Sequence, residues 1–89
     1  MSTIIMLVTN WCPHCKKALS WMEEVKAENP NYSKLDIRII DEEREPETAN
    51  KYDYYYVPTY FINDIKIHEG IPSKEIVREV FKKALKNDH

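Results

Sequence analysis

Apolar and polar positions alternate along this chain with two different periods. Ile4, Ile5, Met6, Leu7 and Val8 form an unbroken apolar run, the pattern of a strand covered on both faces. After Thr9-Asn10 a helical period takes over. Cys15, Ala18, Leu19, Met22 and Val25 share one face, Trp21 borders it, and "ENPN" at 28–31 stops it. "KLDIRIID" alternates Leu35, Ile37 and Ile39 against Asp36 and Arg38, which predicts a second strand. "REPETANKY" reads as a short helix with Pro46 at its start and Ala49 and Tyr52 as its apolar side. "VPTYFINDIKIHEG" predicts a hairpin turning at Asn63-Asp64. Ser73 then caps a helix whose Ile76, Val77, Val80, Phe81, Ala84 and Leu85 form one continuous face, with Glu79 set to pair with Lys83.

The predicted order is strand, helix, strand, helix, strand, strand, helix. A strand–helix–strand opening implies a right-handed crossover and parallel pairing, and the hairpin adds antiparallel strands, so an α/β fold with a mixed sheet is expected. With 89 residues, 43% of them apolar, the chain suits one domain over residues 1–89. A formal charge of -2 and lysines interleaved with glutamates leave no basic stripe, so no nucleic-acid partner is expected. The first ten residues are too short for a secretory apolar region and nothing later approaches a membrane span. A cytoplasmic monomer with no membrane partner is the expectation. The single glycine, Gly70, excludes Gly-rich dinucleotide and phosphate loops.

Both cysteines lie in "TNWCPHCKK", as Cys12 and Cys15. In a reducing compartment such a pair is more often catalytic or metal-binding than a permanent staple, and a disulfide closing so short a loop adds little stability. A closed zinc site needs two further ligands. The chain has no third cysteine, and its histidines are His14 inside the motif, His68, and the terminal His89. The third reading is a pair built for exchange. Pro13 suits the first position of a helix, which sets Cys12 beside unpaired N–H groups and the positive end of the helix dipole. An ordinary thiol is only about 3% ionised at neutral pH, and a fall of ~2 units makes thiolate the majority form. His14, when protonated, adds positive potential together with Lys16 and Lys17. Cys15, one turn on, faces inward on the apolar stripe. In that geometry Cys12 forms a mixed disulfide and Cys15 displaces it.

"WCPHC", the element order and "VPT" together resemble the thioredoxin and glutaredoxin superfamily over nearly the whole chain. Trp11 stands where thioredoxins carry the tryptophan before the first cysteine, and "EPETANKYDYYYVPTYF" is similar to the stretch leading to the family's Val-Pro-Thr turn. The resemblance implies a thioredoxin fold, β-α-β-α-β-β-α, with a four-stranded mixed sheet flanked by three helices. It implies a thiol–disulfide oxidoreductase with no bound cofactor and a redox-active Cys12–Cys15 disulfide, Cys12 as nucleophile, Cys15 as resolving thiol, and Pro13 and His14 as redox-tuning residues. It also implies a cis Val57-Pro58 bond facing Cys12. The Val57 backbone there is suited to pairing with an extended substrate segment, while a proline without N–H beside the thiols discourages metal capture. Trp11, Tyr56, Val57, Pro58 and Gly70 are the substrate-binding residues expected around it.

The length and the short hairpin look glutaredoxin-like. The Gly-Gly pair and following acid that help glutaredoxins hold glutathione are replaced here by "HEGIPSKE", where Gly70 alone survives and Ser73 or Glu75 must stand in for the acid. Thioredoxins carry a buried aspartate under the cysteines on the first strand. Met6 falls near that place, so no carboxylate on this strand takes the proton of Cys15. Pro-His is the dipeptide of the periplasmic disulfide oxidases, whose histidine stabilises the thiolate and makes the protein oxidising. Potentials in this superfamily span roughly 150 mV, about 7 kcal/mol for a two-electron couple, so such a dipeptide matters. A reductase or isomerase of protein or small-molecule disulfides is expected, with a potential above that of ordinary thioredoxins. Its electrons would come from a thioredoxin-reductase-type donor or from glutathione as co-substrate. Glutathione-dependent deglutathionylation and a metal- or cluster-carrying module are the alternatives. Tyr54 suits a core position, Tyr55 the surface, His68 an ordinary strand position, and Glu42-Glu43-Arg44-Glu45 a solvated loop.

Overall fold

The unbroken apolar run becomes an inner strand of the sheet. The computed structural model describes residues 3–9 and 12–86. In it β1 (Thr3–Val8) lies between β2 (Asp36–Asp41), to which it is parallel, and β3 (Thr59–Ile62), to which it is antiparallel. Strand β4 (Ile65–Glu69) pairs antiparallel with β3 and completes the order β2-β1-β3-β4. Alternate β1 side chains therefore enter two cores. Ile4, Met6 and Val8 pack with residues of α1 (Pro13–Glu28) and α3 (Lys74–Lys86), while Ile5 and Leu7 pack with Ile40, Phe61 and Ala49 of α2 (Pro46–Ala49). The element order and mixed sheet are those the sequence predicts.

The helices follow their apolar faces. Cys15, Ala18, Met22 and Val25 of α1 are buried, as are Val77, Val80, Phe81 and Ala84 of α3. Full burial of Met22, Phe81 and the three valines stabilises by about 1.5–3 kcal/mol each. The Ser73 hydroxyl accepts from the Ile76 N–H at 3.1 Å, so α3 is capped as expected. The hairpin turns at Asn63, in the left-handed region at φ 57°, which asparagine tolerates. Its tip is tied to β1 by the Thr3 N–H donating to Asn63 Oδ1 and the Asn63 N–H donating to the Thr3 carbonyl.

Three local expectations are corrected. In β2 the apolar side was expected at Leu35, Ile37 and Ile39, yet Ile39 is 46% exposed and Ile40 is buried on the opposite face. As an edge strand, β2 runs out from under α1, so Ile39 walls a surface cleft, whereas Ile40 is covered from the α2 side. The stretch after α1 is not a plain stop: Pro30–Lys34 forms a 3₁₀ turn that buries Tyr32 edge-on against Phe81, ring centroids 5.4 Å apart. Glu79 and Lys83 form no ion pair among the described residues. Charge pairing on α3 runs from Arg78 to Glu75 within the helix and otherwise to α1, with Lys74 on Glu24 and Arg78 gripping both carboxylate oxygens of Glu28 at 2.9 and 2.8 Å. Those residues lie on the side of α3 that faces α1, where a fixed partner is within reach.

Candidate active site

The chemistry-bearing end of the molecule is where β1 gives way to α1. Cys12 takes an extended conformation as N-cap and Pro13 occupies the first turn, where its missing N–H costs no helical bond. The Cys15 N–H, otherwise an orphan of the helix start, donates to Cys12 Sγ at 3.3 Å. The Cys12 thiol in turn donates to the Val57 carbonyl at 3.9 Å. Both cysteines are free thiols. Burial alone does not separate them, at 5% and 2% exposed; their bonding does. Cys12 bonds to the carbonyl of the loop before Pro58, a contact Cys15 does not share.

Placement in the core pushes the Cys15 thiol up to about 12, first by burial and then by its hydrogen bond with Cys12. The negative charges of Cys12 and Glu42 add to the rise, and a main-chain bond from Thr9 opposes it. Glu42 thereby departs from the solvated loop expected of it. It is half-buried, its N–H bonds the Val8 carbonyl, and its carboxylate accepts from the Tyr54 hydroxyl at 3.4 Å. The carboxylate whose charge acts on Cys15 thus comes from beyond β2 rather than from β1. His14 and Pro13 are exposed on the first turn. Trp11 lies outside the described residues.

The facing wall is the loop 55–58. The Val57-Pro58 bond is cis, Pro58 is buried, and Val57 is half-buried against the core that holds both cysteines. The Glu69 carboxylate at the end of β4 accepts from the Tyr55 and Tyr56 N–H groups and from Lys66 Nζ, which together hold its carboxyl down at about 2, the lysine contributing most. The Thr59 hydroxyl donates to the Tyr56 carbonyl. Gly70, at φ 97°, a conformation few side-chain-bearing residues adopt, donates its N–H to the Pro58 carbonyl at 3.0 Å. Tyr56 is 69% exposed beside this loop. Ser73 and Glu75, expected to replace a glutathione-holding acid, are engaged in capping α3 and in a bond to Arg78.

Sequence reasoning missed Glu42, Glu69, Thr9 and Tyr60 as members of this region. A polar residue directly at a strand end was the available signal for Thr9, Glu42 and Glu69. A cleft of about 480 Å³ is lined by Thr9, Cys15, Lys16, Leu19, Ile39 and Arg44, among others. No cluster of three or more His, Cys, Asp or Glu suited to a metal ion occurs among the described residues.

Residues 3–82 match the family model described as a thioredoxin domain. The chain is 34% identical to the thioredoxin of Methanocaldococcus jannaschii over 82 residues, 92% of this chain and 94% of that one. Among solved structures, a thioredoxin-like protein from Clostridium perfringens superposes with a TM-score of 0.72 at 27% identity, covering 100% of this chain and 77% of that one. Oxidised thioredoxin from Plasmodium falciparum does so at 0.71 and 20% identity, covering 92% and 79%, and shares the fold. A dithiol at the start of α1, on this sheet and with these relatives, leads to one conclusion: the chain belongs to the thioredoxin family and has a thioredoxin-like redox function.

Proposed function

We infer that this protein reduces or isomerises disulfides in proteins or small molecules, with Cys12 as nucleophile and Cys15 as resolving thiol. The observation that carries the reading is the bonding of Cys12 Sγ, which receives the Cys15 N–H at a helix start while facing the Val57 carbonyl. An incoming disulfide is attacked by the Cys12 thiolate, one substrate sulfur leaves as thiolate and takes a proton from solvent, and a mixed disulfide results. The Cys15 thiolate then attacks Cys12 Sγ, the bond to the substrate breaks, and the second sulfur leaves with the electron pair. The Cys12–Cys15 disulfide formed is reduced by an external donor.

The environment of Cys15 suits this order of events. Its hydrogen bond with Cys12 and the charge of Cys12, two causes of its raised value, belong to the reduced pair and vanish once Cys12 is in a mixed disulfide. Cys15 stays protonated while Cys12 is free and becomes easier to ionise when its turn comes. Val57, whose backbone lies beside Cys12, is suited to pair with an extended substrate segment.

A thioredoxin-reductase-type donor is favoured over glutathione because Gly70, Ser73 and Glu75 are already engaged within the fold. Oxidised protein mixed with NADPH and a thioredoxin reductase should be reduced and should sustain turnover of a protein disulfide, whereas glutathione with glutathione reductase should not. Efficient reduction by glutathione alone transfers the protein to the glutaredoxin reading. Metal analysis and absorbance of the purified protein test the cluster-carrying alternative.

His14 sets the second expectation. A redox titration should place the couple above the about -270 mV of thioredoxin, and His14→Ala should lower it. A wild-type value at or below thioredoxin rejects this role for His14.

A further inference from the structure

A bulge in β4 brings Lys66 and Glu69 together. The β3–β4 register pairs Tyr60 with His68 and Phe61 with Lys66, which leaves Ile67 as an extra residue. Side chains three apart on a regular strand point to opposite faces, and one inserted residue returns them to the same face. Lys66 Nζ accordingly donates to Glu69 Oε1 at 2.8 Å. The lysine fixes the carboxylate through that oxygen, and the other, Oε2, accepts from the main-chain N–H groups of both Tyr55 and Tyr56, fourteen and thirteen residues back along the chain. The Glu69 side chain is only 19% exposed. Its three donors hold the carboxyl down at about 2, the lysine contributing most, so the charge is present at any working pH.

The main-chain groups that remain on this wall are few. The Tyr56 carbonyl accepts from the Thr59 hydroxyl, the Pro58 carbonyl accepts from the Gly70 N–H at 3.0 Å, and Pro58 has no N–H. The Val57 carbonyl meets the Cys12 thiol at 3.9 Å, a contact given up when Cys12 reacts. The Val57 N–H makes no hydrogen bond among the described residues. Val57 thus offers a donor and an acceptor together, while the N–H groups of the two residues before it are taken.

We propose, on the reading that proteins are clients, that Glu69 is a positioning residue for client binding: it occupies the Tyr55 and Tyr56 N–H groups, fixes the wall before a client arrives, and leaves Val57 as the residue at which an extended client segment pairs. Strand addition takes a donor and an acceptor on the same residue, so the client docks in one register. Without the carboxylate, both tyrosine N–H groups turn to water and residues 55 and 56 gain freedom that a client must then remove. They also become competing donors beside Val57. The Gly70 bond holds the wall at Pro58 and does not replace Glu69 at the other end.

The size of the effect follows from the ordering cost. Fixing the backbone of one residue costs about tenfold in affinity, so Glu69→Ala should slow attack on a protein disulfide by about that factor. A neutral acceptor bonds about half as strongly as a charged one. Glu69→Gln should therefore slow it about threefold.

The test mixes the full reduced chain, in single turnover, with insulin as a protein disulfide and in parallel with dithiobisnitrobenzoate, which brings no main chain to pair. The ratio of the insulin to the dithiobisnitrobenzoate rate constant should fall about tenfold in Glu69→Ala and about threefold in Glu69→Gln, whereas general damage to the fold slows both reactions and leaves the ratio. Hydrogen exchange should find the Tyr55 and Tyr56 amides protected in the wild type and open in Glu69→Ala. An unchanged ratio in Glu69→Ala overturns the proposal, as do wild-type Tyr55 and Tyr56 amides that exchange freely, or a Glu69→Gln ratio no higher than that of Glu69→Ala. If Glu69→Ala does not fold, Glu69→Gln decides alone, and a wild-type ratio in it overturns the proposal. A wild type that attacks dithiobisnitrobenzoate but not insulin instead overturns the reading of proteins as clients, so the two failures are distinct.

Discussion

Cys15→Ser should turn the protein from a catalyst into a trap. With Cys12 intact the first attack proceeds, but the mixed disulfide then waits for an external thiol. Well-oriented intramolecular groups act at effective molarities from about 10⁵ M. Even at an effective ~1 M, the native Cys15 outpaces external thiol at ~1 mM by about a thousandfold. Turnover should fall by at least that factor, and peptide mapping after acid quench should find substrate on Cys12. The complementary Cys12→Ser protein should capture nothing. Substrate found on Cys15 in that variant would reverse the roles assigned from the Cys15 N–H to Cys12 Sγ bond and from the bond of Cys12 to the Val57 carbonyl.

Phe81→Ala should have the largest effect on stability. Phe81 is fully buried on α3 and receives Tyr32 of the 3₁₀ turn edge-on at 5.4 Å, so its removal opens a cavity between α3, that turn and the sheet. Such truncations cost about 3–5 kcal/mol, against a total of about 5–15 kcal/mol for a typical domain. At roughly 4–8 °C per kcal/mol for a domain of this size, the thermal midpoint should drop by at least about 12 °C. A loss below about 1 kcal/mol in denaturant unfolding would show that the turn and helix repack freely, contrary to the close packing expected of a core.

The parts of the fold that were legible share a property: a single residue pattern decided them. The run Ile4 to Val8 demanded cover on both faces, and an inner strand with helices on both sides supplies it. The period of α3 and the cap at Ser73 were equally local. What escaped depended on distant neighbours. Ile39 and Ile40 are chemically interchangeable, and only the edge position of β2 decides which is covered. Glu42 looks like any surface glutamate until the Tyr54 hydroxyl, twelve residues on, draws it in. Tyr60 falls within the stretch that reads as a hairpin, but that its hydroxyl is buried without a partner among the described residues is a property of packing. The dithiol itself was legible because Pro13 and the spacing of Cys12 and Cys15 act within one helical turn. The facing loop was legible in Val57 and Pro58 but not in what holds it, since Glu69 reaches Tyr55 and Tyr56 from another strand.

That fastening divides the labour of the molecule along its sequence. The two sulfurs and the helix that presents them come from the first third of the chain, whereas the wall opposite them is anchored to the hairpin through Glu69 and Gly70. On the proposed function, reactivity and partner choice therefore sit on separate segments that meet only in space. A lineage is free to recut the hairpin and its loop for new clients while the electron-carrying half stays as it is.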